Sequence, residues 1–184
     1  MKKLIRFGIP ILVLFIMVAG IVYNNQSQKK STEQTVSKGI PSLPQENYLA
    51  PDFTLKTIDG KTVTLRQLRG KPVFINIWNS WCPPCKAEMP DVVKEYDKYK
   101  DKIQFYGINL TTNNDSVAGA KDFINRFHVT FPTLMDTDGK VGVQYQIVGV
   151  PTSLFINDKG VIVARITGAM DVPTMEANFQ KLIK

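Results

Sequence analysis

A nearly continuous apolar run, Val73–Trp78, is followed three residues later by the sequence Cys82-Pro83-Pro84-Cys85. Such a run is typical of a strand that is buried on both faces of a parallel sheet. Residues 83–99 then have apolar side chains at helical spacing, and prolines are well tolerated in the first turn of a helix. The two cysteines are therefore predicted to lie where a buried strand passes into a helix.

Residues 48–184 show strand and helix patterns in alternation, without any internal repeat. The Asp59-Gly60 pair lies between two alternating runs, which is a strong signal for a β-hairpin. Further strands are predicted at 103–110, 133–135, 152–157 and 161–167, and further helices at 116–127, 139–145 and 173–183. This order predicts a single α/β domain in which helices cover a mixed sheet.

Residues 1–47 have a different character. Lys2, Lys3 and Arg6 precede an uncharged run over residues 7–23, which is about the length that a helix needs to span a bilayer. The basic flank predicts that the rest of the chain lies outside the cytoplasm. We therefore predict a transmembrane anchor at 1–23 and a flexible spacer at 24–47. A cleaved signal peptide is the alternative for the first segment.

Composition argues against two classes of function. The chain of 184 residues has two cysteines and one histidine, too few for the four ligands of a structural zinc site, and we expect no metal and no cofactor. The net charge is +7, but residues 1–47 carry six basic against two acidic residues. The domain itself therefore lacks the clustered basic charge expected of a nucleic-acid-binding protein.

The spacing of the cysteines indicates redox chemistry. A sulfur at a helix N-terminus faces unpaired N–H groups and the positive end of the helix dipole, so the pKa of Cys82 should fall below the usual thiol value of about 8.5. Cys85, one turn into the helix, should be more shielded and react second. A structural disulfide is the alternative, but a bridge that closes so short a loop removes little entropy from the unfolded chain.

The segment Trp78-Asn79-Ser80-Trp81-Cys82-Pro83-Pro84-Cys85-Lys86-Ala87-Glu88-Met89-Pro90, with Gly149-Val150-Pro151-Thr152 downstream, resembles the thioredoxin superfamily. It is most similar to the membrane-tethered TlpA/ResA-like thiol-disulfide oxidoreductases. The resemblance covers residues 48–184. The N-terminal hairpin and an apparent insertion over residues 114–141, before the strand that follows the cis-proline, favour that branch. It implies a thioredoxin-like mixed sheet flanked by helices.

The resemblance also implies roles for the residues around the motif. Cys82 corresponds to the exposed nucleophile and Cys85 to the resolving thiol. Pro151 corresponds to a cis-proline that faces the disulfide and leaves the backbone of Val150 free to pair with an extended substrate. We expect Trp81, Pro83 and Pro84 to belong to the substrate-facing surface.

Proton transfer is less closely defined by the resemblance. Glu88 matches an acid near the active site of ResA-like proteins and is expected to exchange protons with the thiols. The alternative for Glu88 is a solvated glutamate in the first turns of the helix. Thioredoxin has a buried Asp six residues before its first Cys, where this chain has Asn76, which cannot titrate. Proton handling is therefore expected from Glu88, water or another group.

The implied activity is reduction of protein disulfides outside the cytoplasm, such as those of apocytochrome c. Electrons would come from a membrane thiol-disulfide carrier of the CcdA or DsbD kind, because disulfides persist in that compartment. Three alternatives remain: a disulfide-forming oxidant of the same fold, a peroxiredoxin-like peroxidase and a non-catalytic partner-binding module. The peroxidase is disfavoured because no activating Thr precedes the motif.

Overall fold

The computed structural model describes residues 39–184. The predicted membrane anchor and most of the predicted spacer lie outside the described residues. Within residues 39–184, every helix is too short or too polar to cross a bilayer.

Seven strands form one mixed sheet in the order β2-β1-β5-β4-β3-β6-β7. The central strand β3 pairs in parallel with β4 and antiparallel with β6. Both predicted hairpins are present, since β1 pairs with β2 and β6 with β7 in antiparallel fashion. The strands are β1 (Thr54–Thr57), β2 (Thr62–Thr64), β3 (Val73–Trp78), β4 (Gln104–Asn109), β5 (Thr133–Met135), β6 (Thr152–Ile156) and β7 (Ile162–Thr167).

Four α-helices are present in the described part of the chain, each close to its predicted position. A short 3₁₀ helix, Leu65–Leu68, follows β2 and was not predicted. The segment 114–141, interpreted as an insertion, contains a helix and strand β5, which pairs with both β4 and β1. The helices are α1 (Pro83–Tyr99), α2 (Val117–Arg126), α3 (Lys140–Gln144) and α4 (Val172–Leu182).

Strand β3 is buried along its whole length because apolar clusters cover both faces of the sheet. Phe74 packs against Phe179 of α4 with ring centroids 5.1 Å apart, and Trp78 stacks on Phe123 of α2 at 4.2 Å. Ile75 and Ile77 belong to the cluster on the opposite face. This two-sided packing fixes the end of β3, from which the cysteine motif begins.

Residues just before the predicted start of the domain pack against the sheet. Residues 41–49, called the strap below, lie along the edge of β7, although most of them were assigned to the spacer. The N–H of Asn47 donates to the carbonyl of Ile162 at 2.8 Å, and the N–H of Arg165 donates to the carboxylate of Glu46 at 2.9 Å. The contacts of Glu46 and Asn47 with β7 therefore differ from the flexible spacer predicted for this segment. Backbone groups make most of these contacts, which explains why apolar periodicity gave no sign of them.

Candidate active site

Cys82 and Cys85 form a disulfide at the junction of β3 and α1, with their Cα atoms 5.3 Å apart. Cys82 is the N-cap of α1, and its sulfur accepts the N–H of Cys85 at 3.2 Å. Pro83 and Pro84 occupy the first turn, as predicted. This arrangement directs a backbone N–H at the first sulfur, which stabilises a thiolate when the pair is reduced.

Cys82 was expected to be exposed, but the structure buries it. Cys82 is 2% exposed and Cys85 is 1% exposed. The Cys82 sulfur is covered in part by the loop before β6, where the carbonyl oxygen of Val150 lies 3.4 Å from it. Cys82 nevertheless borders a surface groove and Cys85 does not. Access to the pair is therefore through the groove and on the Cys82 side.

The groove has a volume of about 490 Å³ and opens beside the disulfide. One wall comes from Trp81, Pro83 and Pro84, and the other comes from α3 and the loop before β6. Val143 and Val148 on that second wall are 80% and 93% exposed. The groove thus presents apolar side chains to solvent close to the sulfur atoms.

The peptide bond between Val150 and Pro151 is cis, as the resemblance implied. Val150 lines the groove, whereas Pro151 is buried and does not line it. The Thr152 hydroxyl donates to the carbonyl of Gly149 at 2.7 Å and helps to hold this loop.

Glu88 is buried, with 3% of its surface exposed, so the alternative of a solvated glutamate is wrong. Its carboxylate accepts the N–H of Met170 at 2.6 Å and the side-chain N–H of Asn76 at 2.8 Å. Burial raises the pKa of Glu88 above its usual range, and the two hydrogen bonds only partly oppose this effect. Glu88 therefore holds its proton to higher pH than an exposed glutamate.

The two tryptophans near the motif lie in different environments. Trp81 is 47% exposed and lines the groove, and its indole N–H donates to the carbonyl of Asn113 at 2.9 Å. Trp78 is fully buried and stacks on Phe123. Trp81 is thus placed at the surface expected for substrate contact, and Trp78 belongs to the core.

Sequence reasoning missed Asp115, which lies just before α2. Its carboxylate accepts the N–H and the hydroxyl of Ser80, each at 2.6 Å, and the side-chain N–H of Asn109 at 2.8 Å. Burial would raise the pKa of Asp115, but the hydrogen bonds from Ser80, Asn109 and Ser116 outweigh it and hold the pKa below the usual range. The Asp-Ser pair before a helix was a local signal for a cap, but nothing local pointed to Ser80.

Over residues 39–184, no group of three or more His, Cys, Asp or Glu side chains is arranged to hold a metal ion. The buried Asp136 beside the groove is engaged by the backbone, since it accepts the N–H groups of Val141 and Gly142 at 3.2 and 2.8 Å. Asp136 therefore stabilises the first turn of α3 by accepting these N–H groups.

A redox-active cysteine pair at the strand–helix junction of a thioredoxin-like sheet defines a thiol-disulfide oxidoreductase. The Redoxin family model matches residues 45–183, and the chain belongs to this family. It is 30% identical over 185 residues to the thiol-disulfide oxidoreductase ResA of Bacillus subtilis (strain 168), covering 100% of this chain and 97% of that protein. It is 35% identical over 164 residues to the thioredoxin-like protein YneN of the same organism, covering 89% of this chain and 92% of YneN. The crystal structure of StoA from Bacillus subtilis matches 76% of this chain and 99% of its own, with a TM-score of 0.63 and 30% identity.

Proposed function

We propose that this chain is a membrane-tethered, extracytoplasmic oxidoreductase that reduces disulfides in other proteins. In this proposal Cys82 attacks the substrate and Cys85 resolves the intermediate. The observation that carries the assignment is that Cys82 alone of the pair borders the groove, while the N–H of Cys85 is directed at the Cys82 sulfur. The groove, of about 490 Å³, leads to that sulfur.

The exchange takes place in two steps. The Cys82 thiolate attacks one sulfur of the substrate disulfide, forming a mixed disulfide and releasing the first substrate thiolate. The Cys85 thiolate then attacks the Cys82 sulfur, which releases the second substrate thiolate and closes the Cys82–Cys85 disulfide. Two electrons pass from the dithiol to the substrate, and two protons balance the products.

Glu88 is the proposed proton carrier for these steps. It lies one helical turn beyond Cys85, it is buried, and its pKa is raised. A carboxyl group that titrates closer to neutral pH is better matched to proton exchange with thiols. Asn76, which donates to Glu88, orients the carboxyl without titrating itself.

The tether and the direction of electron flow rest on the sequence and on the relatives. The basic residues before the apolar run at 7–23 favour an anchor with the domain outside the cytoplasm. The alignment with ResA extends over the whole chain. An extracytoplasmic reductase has to be reduced again after each turnover, and we propose a CcdA- or DsbD-like membrane carrier as the donor. Apocytochrome c disulfides, in cytochrome c biogenesis, are the proposed substrates.

The side of the membrane and the redox state can be tested together in bacterial cells that express the full chain. The chain has only two cysteines, so every maleimide label on it reports Cys82 or Cys85. In intact cells treated with an impermeant reductant, we expect an impermeant maleimide to label Cys82, the cysteine that borders the groove. After acid quenching without added reductant, we expect the pair to be mainly reduced, and oxidised in cells that lack the carrier.

Two results would overturn this proposal. Labelling only after lysis would place the domain on the cytoplasmic side. A pair that is mainly oxidised at steady state, whether or not the carrier is present, would indicate formation of disulfides instead of reduction. The control is the chain with both cysteines replaced by serine, which must remain unlabelled throughout.

A further inference from the structure

We infer that Asp115 is a positioning residue for substrate recognition, because it fixes the segment that carries Trp81 along one wall of the groove. This inference rests on the proposed function, since it assigns the groove to protein substrates. Asp115 acts through Ser80 and Asn79, which it contacts directly, and through Asn113, which contacts Asn79.

The carboxylate of Asp115 joins two separate parts of the chain. Its Oδ2 atom accepts the N–H of Ser80 at 2.6 Å and the side-chain N–H of Asn109 at 2.8 Å. Its Oδ1 atom accepts the hydroxyl of Ser80 at 2.6 Å and the N–H of Ser116 at 2.8 Å. Both oxygen atoms are thus shared between the β3–α1 connection and the β4–α2 connection.

A second set of hydrogen bonds extends this link to Trp81. The Asn79 side chain donates to the carbonyl of Leu110 at 2.8 Å and accepts from the Asn113 side chain at 3.3 Å. The carbonyl of Asn113 in turn accepts the indole N–H of Trp81 at 2.9 Å. Residues 79–81 and 110–116 are therefore held together immediately before the first cysteine.

The packing around Asp115 leaves little freedom for this arrangement to move. A Cβ atom on Gly119 of α2 would lie 2.9 Å from the Ser80 hydroxyl oxygen and 3.0 Å from the Asp115 carboxylate. Such distances are too short for ordinary contacts, so α2 can approach Ser80 this closely only because position 119 is glycine. Helix α2 therefore packs directly against the side chains of Ser80 and Asp115.

An ionised carboxylate is the group that these surroundings require. The neighbouring groups on Ser80, Asn109 and Ser116 are all donors, and charge-assisted hydrogen bonds are stronger than neutral ones. An asparagine at position 115 would keep the shape but would turn an NH₂ group towards one set of donors. Asp115→Asn is therefore a nearly isosteric change that removes the charge and the hydrogen bonds of one of the two oxygen atoms.

The consequence for recognition follows from the groove. Trp81 and Asn113 line the same groove as Cys82. If this wall is fixed in advance, the groove itself loses less conformational freedom when a protein substrate binds. A small disulfide that touches only the sulfur atom gains nothing from the wall, so the two kinds of substrate should respond differently to loss of Asp115.

The experiment compares Asp115→Asn with Asp122→Asn in the full chain, purified in detergent. Asp122 is an exposed aspartate on α2, so its variant makes the same chemical change away from the wall. Dithiol-driven reduction of insulin measures a protein substrate, and reaction of the reduced pair with 5,5′-dithiobis(2-nitrobenzoic acid) measures a small one. Acrylamide quenching of tryptophan fluorescence measures the exposure of Trp81, because Trp78 is fully buried and the chain has two tryptophans.

For Asp115→Asn we expect the KM for insulin to rise about tenfold, as expected for loss of a hydrogen bond to a charged group. We expect kcat and the rate with the small disulfide to stay unchanged, and acrylamide to quench the variant more strongly. Asp115→Glu, which keeps the carboxylate, should recover part of the KM. Should Asp115→Asn fail to fold by circular dichroism, Ser80→Ala carries the same test, because it removes one donor and leaves the carboxylate in place.

The inference is wrong if the variant has the KM and quenching of Asp122→Asn, or if reaction with the small disulfide falls as much as insulin reduction. These outcomes are distinct from failure of the proposed function. If the proposed function itself is wrong, the unsubstituted chain will not reduce insulin.

Discussion

The side-chain amide of Asn76 on β3 donates a hydrogen bond to the buried carboxylate of Glu88 on α1 at 2.8 Å. The same amide nitrogen lies 3.0 Å from the hydroxyl of Ser153 on β6, and the N–H of Met170 completes the partners of Glu88. A polar network therefore crosses the core between the central strands and the helix that carries the cysteines. A buried carboxyl in such a network links folding stability to pH.

Replacing Glu88 by Gln should flatten the pH dependence of stability. Because the pKa of Glu88 is raised, the folded chain retains a proton that the unfolded chain releases near the ordinary value of 4.5. The free energy of unfolding should therefore fall as the pH rises from 4.5 through the raised pKa of Glu88, and Glu88→Gln should lack this fall. Urea unfolding at a series of pH values from 4.5 upwards measures how the free energy of unfolding changes with pH. Asp158→Asn, at an exposed turn, is the control, and equal slopes in Glu88→Gln and the unsubstituted chain would contradict the prediction.

Replacing Gly107 by Ala should destabilise the fold without a change at the active site. A Cβ atom there would lie 2.9 Å from the indole nitrogen of Trp78 and 3.2 Å from the hydroxyl oxygen of Thr133. Overpacking of this kind destabilises a core by about 1–3 kcal/mol. Urea denaturation of Gly107→Ala measures the loss. Gly149→Ala is the control for the general effect of alanine on the unfolded chain, because its nearest neighbour would be 3.6 Å away. Equal midpoints would show that β4 shifts to accept the methyl group.

Replacing Arg165 by Met should release the strap from the domain. The guanidinium of Arg165 donates to the carbonyls of Pro44, Tyr145 and Gln146 at 2.6, 2.8 and 3.1 Å. Methionine keeps much of the volume but no donors, so we expect a loss of about 1–3 kcal/mol and faster hydrogen exchange over residues 41–49. Arg126→Met, an exposed change on α2, provides the comparison. Unchanged exchange over the strap would show that the backbone bonds to β7 suffice to hold it.

The elements around the cysteines could be predicted because their signals are local. The apolar run of β3, the prolines that open α1 and the Asp59-Gly60 turn each specify their own conformation within a few residues. The pairing of β5 with both β4 and β1 has no such signal. It depends on contacts between strands that are far apart in the chain.

The parts of the site that were missed depend on the same distinction. Asp115 receives its main partners from Ser80, 35 residues earlier, so its spacing reveals only a helix cap. The burial of Cys82 results in part from the approach of the Val150 loop, which the motif alone does not fix. The packing of the strap was not predicted because Glu46 and Asn47 lie in a polar segment whose contacts are with backbone groups.

The central claim is that Cys82 attacks and Cys85 resolves, and the most direct test is to trap the intermediate. The full chain with Cys85→Ser, reduced and mixed with an excess of a disulfide-containing protein, should accumulate one mixed disulfide on Cys82, visible as a mass shift that dithiothreitol reverses. The matched Cys82→Ser chain should form far less, because Cys85 does not border the groove. Faster capture by Cys82→Ser, or insulin reduction by Cys85→Ser at the rate of the unsubstituted chain, would contradict this account.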